Sequence, residues 1–198
     1  KTKGISLYLY SPAPLLDQYL CDLEGAFIKT GNIHSRILQH AWGETYLPIW
    51  VRNDQVDVFW GPAHRIPRLL SNSIPRVVTI HDLVWKYAKA SMPPLSFLLE
   101  RIQMPFAIKG SDYVVTVSNA TAKSLESEFS IDPNKLSVTP LGASLNKKQN
   151  SFNSLHELGI SSSYFLFVGT LEPRKNLTNL LAAYSSLPEA VKSISKLV

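Results

Sequence analysis

The chain has a single cysteine, Cys21, in 198 residues. That excludes an internal disulfide and any thiolate-clustered metal site, and it suits a reducing compartment. The histidine spacing of a zinc site is missing, and so are a Walker-type phosphate loop and a Gly-x-Gly-x-x-Gly turn. Long apolar runs are missing too. None approaches the roughly 18 to 20 residues that cross a bilayer, and the opening Lys1-Thr2-Lys3-Gly4 leads into only a brief one, so neither a span nor a signal peptide is expected. The address read from this is cytoplasmic. Acidic residues are outnumbered, 15 Asp and Glu against 20 Lys and Arg, for a formal charge of +5. This excess favours anionic partners in general, such as nucleotides, phosphates or an anionic membrane surface. The cations are dispersed and no recognition helix or aromatic platform accompanies them, which argues against nucleic acid.

What is present is a globular composition, 45% hydrophobic and 18% charged, long enough for one large domain or one domain with part of another. Six β-branched or aromatic runs read as strands: 5–10, 56–60, 76–80, 113–117, 136–139 and 164–168. The run Arg76 to Ile80 (RVVTI) has continuous apolar character with no polar alternation, the mark of a strand covered on both faces of a parallel sheet. Helical patterns fall at 15–27, 94–109, 120–129 and from Leu177 to about Leu187, with a short helix at 43–51 interrupted by Pro48 and a short strand at 33–39. The 94–109 pattern is apolar nearly all round, with Pro105 inside, and reads best as a buried helix; a membrane-docking face is the alternative. The alternation of strand and helix gives an α/β fold with a parallel sheet of Rossmann-like type. A polar stretch from Ala143 to Ser154 reads as a linker. It divides a first domain, 1–142, from a second unit, 155–198, which has too few elements to cover a sheet and reads as cut short.

Ligands of open parallel sheets bind beyond the carboxyl ends of the strands. Gly61 and His64 follow one such end, His81 and Asp82 a second, and Ser118 and Asn119 a third, with Ser118-Asn119 also suited to cap the next helix. A His-Asp pair at a strand end is equally able to satisfy a local carbonyl and do nothing more. Beyond the linker, Gly169 and Thr170 end a strand, and Arg174 and Lys175 precede a helix, where unpaired N–H groups and the helix dipole favour an anion. Plain solvated charges are the competing explanation there.

Taken together, VDVFWGPAHRIP, RVVTIHDLVW, DYVVTVSNATAKSL, KLSVTPLG and YFLFVGTLEPRKNLTNLLAAY resemble, in order and spacing, the group 1 (family 4) retaining glycosyltransferases of the GT-B fold, especially the mannosyltransferase-like branch. The resemblance implies two Rossmann-like domains facing across a cleft, the first for acceptor and the second for a nucleotide-sugar donor. It implies that His81 lies beside the donor sugar and that Lys175 contacts the donor diphosphate, with Gly169, Thr170 and Arg174 around it. Asp82, Ser118, Asn119, Gly61 and His64 would then line the acceptor side. The family often has an arginine where this chain has Thr170, so Arg174 is the candidate for the second cation.

The implied parent is a hexosyltransferase, with mannose favoured, acting on a glycan or lipid-linked acceptor, without a cofactor or essential metal and with peripheral contact at the inner membrane face allowed. The family's opening glycine-rich strand and its later paired-glutamate segment are not in the 198 residues, which reads as a fragment inactive alone. A catalytically silent glycosyltransferase-like subunit that holds a glycan or partner is the alternative.

Overall fold

A computed structural model of the protein describes residues 4–16, 25–89, 92–142, 160 and 163–198. Contacts divide the chain into two units, 1–83 with 101–140, and 84–100 with 141–198. The expected linker at 143–154 lies outside the described residues, as do residues 17–24 of the helix expected at 15–27.

The first unit opens with β1 (Tyr8–Ser11) paired in parallel with β2 (Phe27–Thr30). Phe27, expected to end a helix, begins this strand instead, and its ring stacks on Tyr8 with centroids 4.8 Å apart. Helix α1 (Arg36–Asn53) then replaces the short strand expected at 33–39 and the short helix at 43–51. Pro48 sits inside it and removes one N–H from the ladder, normally a helix-breaking cost. Packing outweighs that cost: Trp42, Pro48 and Val51 are buried, and Trp42 meets Trp50 edge-on at 5.3 Å.

The main sheet is four parallel strands in the order β3 (Phe59–Gly61), β4 (Arg76–Ile80), β5 (Tyr113–Thr116), β6 (Leu136–Val138). Val78, Ile80 and Val114 are buried, as a strand with helices on both faces requires. Thr79 and Thr116 are buried with them and satisfy their hydroxyls within the fold, Thr79 accepting from the Trp60 indole N–H at 2.9 Å. Helix α2 (Pro94–Gly110) contributes Met104, Ala107 and Ile108 to this core, and α3 (Asn119–Phe129) contributes Ala122 and Leu125. Only that one side of α2 is buried. Leu95, Leu98, Ile102 and Phe106 on its other side are 40–60% exposed, so α2 is not the fully buried helix its composition suggests. One sheet layer covers a single stripe of a helix, and apolar residues beyond that stripe stay outside. The ring of Phe106 lies under the Arg68 guanidinium at 5.2 Å.

In the second unit, β7 (Tyr164–Phe165) pairs in parallel with β8 (Lys196–Leu197), and α4 (Leu177–Ser185) and α5 (Glu189–Ile194) lie between them in sequence. The strand and helix of α5 and β8 went unrecognised because each is only one or two turns or residues of pattern. Tyr184 on α4 ties the pieces together: its ring meets Phe165 at 6.2 Å and its hydroxyl donates to the Ser195 carbonyl at 3.0 Å. Among the described residues no helix is long and apolar enough to cross a membrane.

Candidate functional site

The carboxyl ends of β3, β4 and β5 form one edge of the main sheet. The turn after β3 is tight. A Cβ on Gly61 would fall inside the carbonyl oxygen of Arg65, so only glycine allows the chain to fold back there. Three residues on, His64 adopts the left-handed conformation at φ 62°, a position histidine tolerates better than most residues. The turn is fastened to α1 by Arg65, whose Nη1 lies 3.0 Å and 3.1 Å from the two ring nitrogens of His40, and by the Arg68 N–H, which donates to the Glu44 carboxylate at 2.8 Å.

His81, the first residue past β4, is held from three directions. Its backbone N–H donates to Nε2 of His64 at 2.9 Å. Its ring Nε2 lies 2.9 Å from the Pro62 carbonyl oxygen. Its own carbonyl accepts from the Thr121 hydroxyl at 3.1 Å. The two imidazoles lie 5.3 Å apart, tilted by 46°. Thr121 is in turn set by Ser118, the N-cap of α3: the Ser118 Oγ accepts from the Thr121 N–H at 3.2 Å and pairs with its hydroxyl at 3.0 Å.

Of the residues picked from sequence, Gly61, His64, His81 and Ser118 thus belong to one connected arrangement. Asp82 is exposed, and Asn119 is the exposed first residue of α3. Pro62 and Thr121 were missed. The carbonyl of Pro62 carries no side-chain signal, but Ser118-x-x-Thr121 at a helix start was a visible pairing.

The second unit carries the other group of candidates. Arg174 and Lys175 stand just ahead of α4, which begins at Leu177. They lie in a single 3-10 turn, Pro173–Lys175, and Asn176 at φ 54° separates them from α4. The side chains then part. Arg174 Nε pairs with the Glu172 carboxylate at 2.6 Å, and the Thr170 hydroxyl donates to the other carboxylate oxygen at 2.6 Å. The Thr170 hydroxyl, followed by Arg174, holds the Glu172 carboxyl below its ordinary range. Lys175 is exposed and makes no ion pair with a described residue; its stem lies 3.8 Å from where a Cβ of Gly169 would stand. Gly169 itself, at φ 159°, is extended backbone. Among the described residues no three His, Cys, Asp or Glu side chains gather as a metal site.

A parallel sheet flanked by helices, with a histidine fixed at the carboxyl end of a central strand, forms a Rossmann-like α/β domain. The sequence model of Glycosyltransferase Family 4 matches residues 3–147, about three quarters of the chain, and the protein belongs to that family. No curated protein matches the chain.

Proposed function

We propose that the protein transfers a hexosyl unit, with mannose favoured, from a nucleotide-sugar donor to a hydroxyl of a glycan or lipid-linked acceptor, with retention at the anomeric carbon. The observation that carries this reading is the match to Glycosyltransferase Family 4. The bond from the anomeric carbon to the donor diphosphate breaks, and a bond to the acceptor oxygen forms on the same face. The acceptor proton passes to a diphosphate oxygen. Lys175 stabilises the departing diphosphate as a fixed cation, so no carboxylate nucleophile or essential metal is needed. His81 meets the donor sugar, and Gly169 and Thr170 keep the chain near the phosphates low in bulk. Residues 1–142 serve the acceptor and residues 155–198 serve the donor. A lipid-linked acceptor fits peripheral contact at the inner membrane face.

The test is transfer of labelled sugar by the full-length protein from a panel of nucleotide sugars to glycan and lipid-linked acceptors, with the anomeric configuration of the product read by NMR. Retained configuration and a loss on the order of a hundredfold in turnover for His81→Ala, with little change in melting temperature, are the expected results. A destabilised but fully active His81→Ala protein defeats the role of His81. Glycan binding without transfer from any donor replaces the enzyme with a silent binding subunit.

A further inference from the structure

Strand β3 ends at Gly61, opposite Val78, while β4 continues through Thr79 and Ile80 to His81. On that side of β4 the carbonyl of Thr79 and the N–H of His81 have lost their strand partner. His64 supplies both bonds. Its backbone N–H donates to the Thr79 carbonyl at 3.1 Å, and its ring Nε2 accepts from the His81 N–H at 2.9 Å. One residue therefore continues the ladder, half with main chain and half with imidazole. It does so in the left-handed conformation, after a turn that only Gly61 permits. The left-handed backbone of a non-glycine residue is a local cost and marks a conformation held for position.

The same geometry decides the protons on His81. The Pro62 carbonyl can only accept, so the His81 Nε2 facing it at 2.9 Å carries the hydrogen. In the neutral ring the lone pair is then on Nδ1, and no described residue donates to that atom. An imidazole fixed this way is a hydrogen-bond acceptor at its outward nitrogen. It takes a hydroxyl and turns away a phosphate oxygen, which needs a donor.

We infer that His64 is the positioning residue of His81, and that together they present the Nδ1 lone pair of His81 as an acceptor for a sugar hydroxyl. That the hydroxyl belongs to a sugar rests on the glycosyl-transfer reading; the tautomer and its dependence on His64 do not. His64 suits the place because it tolerates the left-handed backbone and reaches the His81 N–H with an uncharged acceptor. An aspartate would bring a charge that draws His81 toward the imidazolium form, with a donor at both nitrogens.

Long-range proton–nitrogen correlation on the 15N-histidine-labelled protein at about pH 8 reads the tautomer directly. The wild type shows His81 as a single Nε2–H tautomer. His64→Gln, which keeps an acceptor of similar reach, retains it. His64→Met, similar in volume but without that acceptor, gives mixed tautomers at His81 and faster exchange of its backbone amide, by about tenfold or more. An unchanged tautomer and exchange rate in His64→Met overturn the inference. Should that variant fail to fold, His64→Asn, compatible with the backbone but too short to reach, takes its place with the same two outcomes. A second arm adds ligands: nucleotide sugar moves the His81 Nδ1 resonance and inorganic sulfate, which carries no proton and can only accept, leaves it in place. Movement by sulfate overturns the acceptor assignment. A fixed, His64-dependent tautomer in a protein that transfers no sugar supports this inference and counts against the proposed reaction alone.

Discussion

Glu172 holds Arg174 through a 2.6 Å contact between carboxylate and Nε, so of two adjacent cations only Lys175 is left without a described ion-pair partner. The distinction is local. Residues 172 and 174 close on one another across a 3-10 turn, while Lys175 runs along Gly169. An anion approaching this loop meets one uncompensated charge instead of two.

Lys175→Ala is therefore expected to weaken binding of a nucleoside diphosphate by about tenfold or more, the worth of one charge-assisted bond. Arg174→Ala should weaken it by less than Lys175→Ala does. Glu172→Gln should tighten it, because Arg174 is released and a negative charge is removed. Calorimetric titration of the three variants checks the order, and equal losses for Arg174→Ala and Lys175→Ala would contradict it.

A second prediction concerns acid stability. Lys29 donates to the Asp54 carboxylate at 2.5 Å and the Tyr10 hydroxyl donates to its other oxygen at 2.8 Å, joining β2, α1 and β1. The Lys29 bond, with that of Tyr10 behind it, holds the Asp54 carboxyl below the ordinary aspartate range despite partial desolvation. A carboxyl depressed in the folded state binds its proton more readily when unfolded, so its stabilisation is complete above the ordinary value and is lost as pH falls through the folded one. The melting-temperature gap between the wild type and Asp54→Asn should stay constant above about pH 5 and close progressively below about pH 4.

Tyr10 titrates the other way. Burial, then its bond to Asp54, raises its phenol above the ordinary tyrosine range. Its contribution is present below that range and lost as pH rises through the folded value. Ultraviolet titration of the folded protein should show one phenol, absent from Tyr10→Phe, that ionises after the others.

Ser118→Ala removes the cap of α3 and the partner of Thr121, for a loss of about 1 kcal/mol in urea unfolding. Leu125→Ala in the same helix empties a fully buried side chain and should cost about 2–5 kcal/mol. The ranking of these two losses checks whether α3 is held mainly by its core face or by its cap.

Gly61→Ala should lower stability by at least about 2 kcal/mol, since the added Cβ meets backbone that has no side chain to move aside. Gly43→Ala, where a Cβ meets nothing within 4 Å, serves as the control. It should be neutral or stabilising within α1.

The parallel sheet was readable because RVVTI and YVVT are continuous β-branched runs that only a doubly covered strand needs, and the cap at Ser118 was readable from its chemistry alone. The helix through Pro48 was hidden. Its justification is the contact of Trp42 with Trp50 and the burial of Val51, none of which local propensity contains. Strand β2 was masked in the same way, since FIKT gains its strand character from pairing with β1. At the site, the strand-end rule found His64 and His81 separately. Their bond depends on a left-handed residue and a backbone carbonyl, neither of which periodicity encodes.

The bonds around His81 all join residues far apart in the chain: 17 positions to His64, 19 to Pro62 and 40 to Thr121. Parallel strands cannot be closed by a hairpin, so each link waits for a crossover to be completed. Loop closure on that scale precedes any reward from the contact. The geometry of His81 thus depends on the same crossovers that bring β3, β4 and β5 together, so a change in either crossover loop reaches the imidazole without touching it.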